Sequence, residues 1–485
     1  MILSELISKI GFVKLSGSTD RTIRSLVFDS RVVTPDAVFF AIRGVSHDGH
    51  SFVEQVIAAG CRTVVVEEKV EASNDVTVIV VPDSSVALSQ MASYFYGNPS
   101  KKLKLVGVTG TNGKTTTTTL LFNLFTRLGY HCGLISTVVN KIGNVEIPST
   151  HTTPDPVRLN AMLAEMVSAG CTHCFMEVSS HAVHQKRIEG LHFTGAVFTN
   201  ITHDHLDYHK TFAEYIRVKK SYFDHLSEEA FALTNVDDKN GSVMLQNTSA
   251  RKYSYAMRTP ADFKAKVLEN QFSGLVLTLN GVELWSRLIG NFNAYNLLAV
   301  FAVSQLLGED QTMVLTVLSN LESVDGRFQY LKSKGGITAI VDYAHTPDAL
   351  ENVLKTIASI RTRNELVYTV VGCGGDRDKA KRPEMAAIAC DRSDKVILTS
   401  DNPRSEDPNQ ILRDMEQGIP GEHIKKVLTI VDRTQAIKTA ISMAQSGDII
   451  LIAGKGHEKY QEINGVKYDF DDLRITEDFF LKLNK

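Results

Sequence analysis

Hydrophobic positions in this chain fall into short, nearly unbroken runs separated by amphipathic stretches, the pattern of strands covered on both faces by crossover helices. In the first hundred residues, β-rich runs at 25–28, 38–42, 63–67 and 76–81 alternate with helical spacing such as that at 85–96. The opening MILSELISKIGF reads as an amphipathic helix rather than a signal peptide. Turn residues and charge in Gly97-Asn98-Pro99-Ser100-Lys101-Lys102 then break the pattern. A second unit opens with a strand at 103–108, continues through a polar loop into an apolar helix at 120–128, and runs to about residue 332. From Gly335-Gly336 onward strand and helix repeat, with strands at 337–341, 366–371, 395–399, 427–431 and 448–453 and helical spacing at 347–359 and 432–444. Such repeats imply right-handed crossovers and a Rossmann-like sheet with ligand loops at the strand C-termini. A chain of 485 residues is also too long for one core. The expectation is an α/β protein of three domains, 1–98, 99–332 and 333–485, with a central sheet that opens on a polar strand-to-helix loop and a C-terminal Rossmann-like domain.

Composition narrows the partners more than the fold. A net charge of -3 makes no electrostatic case for nucleic acid or an anionic membrane. The longest apolar runs, such as 449–453, are strand-sized and too short to span a bilayer, so no membrane insertion and a cytoplasmic location are expected. Six cysteines imply no disulfide framework. Cys171 and Cys174 form a C-x-x-C with no second pair at zinc spacing, and they lead into apolar Phe175-Met176, so two reduced, packed thiols are expected.

The most specific chemical signal is GVTGTNGKTT at 107–116, between a strand and a helix. Glycines let backbone N–H groups converge on phosphates, the helix N-terminus favours negative charge, Lys114 adds a mobile cation and Thr115 a hydroxyl for magnesium. Val108 stands where the strict phosphate-loop pattern has its first glycine. In FMEVSSH (175–181), Glu177 ends an apolar strand, where an unpaired carboxylate is costly and a hard cation relieves the cost. The segment TNITHDHLDYH (199–209) adds oxygen donors and imidazoles, a setting that favours magnesium with at most one histidine ligand. Lys219 follows ten residues after His209 with Lys220 beside it, a pair that ordinarily marks a solvated face. Gly372-Cys373-Gly374-Gly375 is a poor dinucleotide fingerprint because Arg377 spoils its spacing.

These segments resemble the Mur ligases, and within them the diaminopimelate-adding branch. The resemblance rests on GVTGTNGKTTT (107–117), HTTPDP (151–156), MEVSSHAVHQKR (176–187), TNITHDHLDYH (199–209), GNFNAYN (290–296), DGRFQ (325–329), DYAHTP (342–347), GCGGDRDKAKRP (372–383), DNPRSEDP (401–408) and AGKGHE (453–458), in the family's order. It implies a UDP-sugar domain, a central ATPase and a C-terminal domain that brings an amino acid. The reaction implied is ATP-dependent addition of meso-diaminopimelate to UDP-N-acetylmuramoyl-L-alanyl-D-glutamate through an acyl phosphate, by a monomer.

By the same resemblance, Gly110, Thr111, Asn112, Gly113, Lys114, Thr115 and Thr116 hold ATP phosphates, with Asn296, Arg327 and Asp342 elsewhere on the nucleotide. Lys219 matches a carbamylated lysine, which with Thr115, Glu177 and His205 would hold magnesium. Phe28, Ser30, Val45, Ser46 and His47 match uridine-nucleotide contacts, and Thr152, Thr153, Ser179, Gln185 and Arg187 match contacts to the muramyl dipeptide. Arg377, Asp401, Asn402, Pro403, Arg404, Gly454 and Glu458 match the diaminopimelate site. The chain departs from the family pattern at His151, where members often have asparagine, and at Phe292, where the wider superfamily often has histidine. A folylpolyglutamate synthase is the nearest alternative, and FDSR and DNPR argue against it. A nucleotide switch is the alternative of another class, and it leaves the carboxylate-reading loop unexplained. For Arg404, the other reading is a turn arginine paired with Glu406 or Asp407.

Overall fold

A computed structural model describes every residue except Val45, Ser46, His203, His205 and Arg363, and describes Leu206 and Asp207 by their backbone alone. Three sheets follow one another along the chain. The first has the order Lys14–Ser16, Thr77–Val80, Thr63–Val66, Ala37–Phe40, Ser25–Val27, parallel throughout except at the Lys14–Ser16 edge. Its strands are buried on both sides with a period of two: Val38, Phe40 and Val65 face one cluster, Phe39, Val64 and Val66 the other.

The central sheet has 11 strands. Its parallel middle runs Arg251–Ala256, Phe231–Asn235, Gly195–Phe198, Lys104–Thr109, His173–Glu177, Cys132–Ile135. Helices Lys114–Arg127 and Asn291–Leu306 cover one face, against Val106, Val108, Phe175 and Leu233. Helices Pro156–Ser168 and Phe212–Asp224 cover the other, against Leu105, Cys174, Met176 and Phe198. Cys171 and Cys174 are buried free thiols in that second layer, as expected.

The third sheet runs Gln329–Lys332, Thr338–Asp342, Ile449–Ala453, Val367–Val371, Lys395–Leu398, Val427–Thr429, with only the first strand antiparallel. The strand-helix repeat expected there is present, with helices Pro347–Ile360 and Arg433–Met443 between strands.

Two expectations need correction. The N-terminal helix covers only Leu3–Ile7; Ile2 instead bridges to Thr22, and the chain turns after Ser8. The helix after the phosphate loop begins at Lys114 rather than 120, because the threonines that follow are buried against the strands and Gly113 sets its start in a left-handed conformation, φ +85°. Among the described residues no helix is long and apolar enough to cross a membrane.

The parallel strands of the central sheet end at Thr109, Glu177, Phe198 and Asn235, and those of the third at Asp342, Val371, Leu398 and Ala453. These two rims of strand ends face each other. Asn112 Nδ2 donates to Asp348 Oδ2 across the gap at 2.7 Å, and Arg327 Nη2 donates to Thr115 Oγ1 at 3.2 Å.

Candidate active site

The phosphate loop takes its shape from two glycines. Gly110 (φ +154°) lies so close to Thr199 that any Cβ would collide with its hydroxyl, and a Cβ on Gly113 would stand 2.7 Å from Asn296 Oδ1. The next strand-end loop clasps this one: Asn112 N donates to Asn200 Oδ1 (2.9 Å), and Thr199 Oγ1 and Asn200 Nδ2 donate to Asn112 O (2.6 and 3.1 Å). Protein contacts alone therefore hold the loop's shape, with Lys114 at the start of its helix.

Lys114 Nζ donates to the carbonyls of Gly110 and Thr111, both at 2.8 Å. Lys219 Nζ donates to the same Gly110 carbonyl at 2.9 Å. Lys219 lies on the buried stripe of its helix with Tyr215, Val218 and Tyr222, while Lys220 points away and pairs with Asp224 at 2.7 Å. The adjacent lysines are thus split between core and surface. Lys219 is 1% exposed. Burial holds its ammonium well below the usual lysine range, and the Lys114 charge pushes the same way. Burial lowers Lys114 too, with Glu177 and Asp204 pulling it back up.

Glu177 is fully enclosed, but it is not unpaired. Thr137 N donates to it at 2.7 Å and the Thr137 hydroxyl lies 3.2 Å away. Thr152 Oγ1 stands 3.0 Å from that hydroxyl, and Thr153 Oγ1 donates to Glu177 O at 2.8 Å. Ser179 caps the short helix Ser180–His184. Arg187 reaches back to Thr153 O (2.7 Å) and to Gln185 Oε1 (2.6 and 3.0 Å), so this row of polar side chains forms one connected wall.

On the nucleotide side, Asn296 donates to Asn293 (3.0 Å), and Arg327 lies over the Tyr343 ring at 4.6 Å. Burial pushes the Asp342 carboxyl up to about 6 against the pull of Arg327. Its carboxylate accepts Phe328 N at 2.6 Å, which fixes the chain where it passes into the third sheet.

The third sheet supplies the opposite wall. Arg404 Nη1 donates to Gly375 O at 2.7 Å and its Nε stands 3.5 Å from Glu462. Glu406 is instead held by buried Arg382 (2.8 Å) and Asp407 lies 3.6 Å from Arg413, so the alternative pairing for Arg404 does not occur. Asn402 Nδ2 donates to Glu458 Oε2 at 2.7 Å, Asp401 caps Asn402 N, and Gly454 (φ +116°) lets the chain pass the Asp401 carboxylate. Arg377 is exposed and Pro403 leads into Arg404.

One continuous cleft joins the walls. Lys114, Thr115, Glu177, Thr153, Arg187, Lys219, Asn296, Arg327, Asp342, Arg377, Asn402, Arg404 and Glu458 all line it. Phe28, Ser30 and His47, in segments that follow strands of the first sheet, are not among its lining residues. The expectations for Val45, Ser46 and His205 fall outside the described residues. Sequence reasoning missed Thr137, Asp348, Tyr343, and Tyr295, whose hydroxyl donates to Asp237 at 2.7 Å at the far end of the cleft.

Asp348 is the clearest omission, since it also accepts the Thr202 hydroxyl (3.2 Å) and so holds both central-sheet loops to the third sheet. Asp348→Ala is expected to weaken ATP-analogue binding measured by titration calorimetry and to lower thermal stability by about 1–3 kcal/mol, the cost of orphaned polar groups. Unchanged affinity would mean the two walls dock without it.

A glycine-rich strand-to-helix loop with two lysines on one wall and an arginine–carboxylate cluster on the other, facing across one cleft, is an arrangement suited to a nucleotide-driven ligase. Family models agree segment by segment: the Mur ligase family catalytic domain matches residues 22–96, the Mur ligase middle domain 108–304 and the Mur ligase glutamate ligase domain 326–456. The chain belongs to the Mur ligase family, whose members are ATP-dependent ligases. It is 57% identical, over the full length of both chains, to a Cytophaga hutchinsonii protein named UDP-N-acetylmuramoyl-L-alanyl-D-glutamate–2,6-diaminopimelate ligase. A Phocaeicola vulgatus protein of the same name is 52% identical over 99% of each chain. A solved structure of a ligase so named superposes with a TM-score of 0.70 at 32% identity, covering 100% of this chain and 99% of the other.

Proposed function

We propose that this chain adds meso-diaminopimelate to UDP-N-acetylmuramoyl-L-alanyl-D-glutamate at the expense of ATP, in peptidoglycan-precursor synthesis. The observation that carries this reading is the single cleft running from Lys114 and Glu177 to Arg404 and Glu458. A side-chain carboxylate oxygen of D-glutamate attacks the γ-phosphorus of ATP and the bond to ADP breaks, giving an acyl phosphate. The diaminopimelate amine then attacks the acyl carbon, phosphate leaves, and the new amide nitrogen loses a proton. The protein contributes mainly position and charge. Lys114 leaves the Gly110 and Thr111 carbonyls for the phosphates, Thr152, Thr153, Ser179, Gln185 and Arg187 hold the dipeptide end, and Arg327 with Asp342 and Asn296 orients the nucleotide. In the first unit, Phe28, Ser30, Val45, Ser46 and His47 take the uridine nucleotide.

A magnesium ion fits the central wall, because among the described residues the enclosed Glu177 carboxylate receives one backbone N–H and one hydroxyl, both of Thr137. Thr115, Glu177, His205 and Lys219 as its carbamate would hold it. When bound, it supplies positive charge to the phosphate oxygens. Lys219 reaches that form if its neutral amine attacks CO₂, forming an N–C bond and releasing a proton. The division 1–98, 99–332 and 333–485 then separates uridine, ATP and amino-acid duties in a monomer working in the cytoplasm.

The amino acid is assigned by charge. Diaminopimelate ends in an ammonium and a carboxylate, whereas lysine ends in an ammonium alone. Arg404 can grip the carboxylate with paired charge-assisted hydrogen bonds, and Arg377, Asp401, Asn402, Pro403, Gly454 and Glu458 complete the site. Phosphate release with each amino acid should show kcat/KM far higher for meso-diaminopimelate, and Arg404→Ala should lower that value about 10- to 100-fold. A wild type that prefers L-lysine, or an Arg404→Ala variant with unaltered diaminopimelate kinetics, would overturn the assignment.

A further inference from the structure

Lys455 is buried charge that none of the duties above uses. It follows Gly454 at the end of the strand Ile449–Ala453, and its side chain is 0% exposed. Its ammonium donates to Asn402 Oδ1 at 3.0 Å and to Glu458 Oε2 at 3.2 Å, with the Tyr460 and Phe470 rings 5.5 and 5.9 Å away. A lysine enclosed this completely is costly unless its partners repay the lost hydration. Both partners here stand in the amino-acid pocket.

The contacts fix more than two side chains. Asn402 Oδ1 accepts Lys455 and also Glu462 N (2.9 Å), so its amide cannot turn over, and Nδ2 must point at Glu458. The hairpin Tyr460–Ile463 and Val466–Asp469 is drawn in by the same amide. Arg404 N donates to Glu462 O at 3.1 Å and Asn464 N donates to Arg404 O at 2.7 Å. From Lys455, then, one network reaches the carboxylate that can meet an ammonium and the guanidinium that can meet a carboxylate.

We propose that Lys455 is a positioning and specificity-setting residue for the zwitterionic end of the incoming amino acid, keeping Glu458 aimed while Asn402 and the hairpin hold Arg404 in register. This rests on the diaminopimelate reading given above. Among the described residues the charged and titratable groups facing Glu458 are Asp401 from the loop after Lys395–Leu398, Lys455 from its own loop, Tyr343 from the loop after Thr338–Asp342, and Arg433 from the helix Arg433–Met443. Burial and Asp401 push the Glu458 carboxyl up, and Lys455 pulls it down. Without Lys455 the two carboxylates face each other with less compensation. Glu458 then takes up a proton at a higher pH and loses its attraction for an ammonium.

The test uses Lys455→Met, which keeps the length of the stem, and Lys455→Gln, which keeps a neutral donor. Steady-state kinetics are measured from pH 6 to 9 beside the wild type. In both variants KM for diaminopimelate should rise about 10- to 100-fold, with kcat and the KM values for ATP and the UDP-linked substrate little changed. The defect should also shrink as pH rises, because a Glu458 of raised pKa regains its charge there, by up to about tenfold per pH unit. In the double variant Lys455→Met/Glu458→Gln this pH dependence should vanish. Unchanged KM, a pH-independent defect, a uniform rise in all three KM values, or failure of both single variants to fold would each overturn the positioning role. A wild type that takes diaminopimelate alongside such variants sinks only this inference. A wild type that rejects diaminopimelate overturns the functional reading and this inference with it.

Discussion

Lys114→Ala should abolish phosphate release and ligation, lowering kcat by at least about a hundredfold to a thousandfold, the range seen when one preorganised contact to developing charge is removed. Lys114 Nζ touches only two loop carbonyls, Gly110 O and Thr111 O, among its hydrogen-bond acceptors, and it sits beside a second buried ammonium on the first of them. Its removal relieves repulsion from Lys219 and the cost of burial, takes from Glu177 and Asp204 an attraction, and leaves the apolar layers untouched, so thermal unfolding should change little. The measurement pairs a phosphate assay with a melting curve. A well-folded variant that still releases phosphate near the normal rate rules out the loop as the ATP site.

The second large effect concerns Lys219. Its helix buries it with Tyr215 and Tyr222 at helical spacing, so an unmodified ammonium there faces Lys114 across one carbonyl with no carboxylate bonded to it among the described contacts. Conversion to a carbamate replaces that cation with an anion that Lys114 attracts. Lys219→Ala should therefore lose at least about a hundredfold in kcat and regain part of it with acetate or formate, which place a carboxylate in the vacated space. Wild-type protein equilibrated with ¹³C-labelled CO₂ should show a carbamate carbon resonance that the variant lacks. Full activity of the variant without added carboxylate would refute the modification.

What could be read from the chain differs between elements for physical reasons. Strands buried on both faces, such as Thr63–Val66, Val367–Val371 and Ile449–Ala453, announce themselves as runs of aliphatic, β-branched and aromatic residues without a charge. The edge strands Lys14–Ser16 and Val145–Pro148 and the hairpin at 460–469 are mostly exposed, carry no such run, and went unread. The phosphate loop was legible because its parts are contiguous. Glu177 was legible as a strand-end carboxylate, but its partner Thr137 lies 40 residues away. The Asn112 bond to Asp348 spans 236 residues and the Lys455 bond to Asn402 spans 53, separations at which no local pattern reports proximity. Lys219 was the instructive case, since a lysine pair usually marks a wet surface, and only the phase of Tyr215, Val218 and Tyr222 around the helix turns one member inward.

Arg404 holds a left-handed backbone, φ +50°, a region that costs a side chain other than glycine about 1–2 kcal/mol. A glycine at this position would adopt the same turn without that cost. That strain sits where the guanidinium projects toward Gly375 and the cleft. Arg404→Gly would relieve that strain but give up the guanidinium's bond to Gly375 O and its pairing with Glu462, and it would leave this end of the cleft without its cation. An easy backbone and a charge aimed into the cleft are set against each other at a single angle.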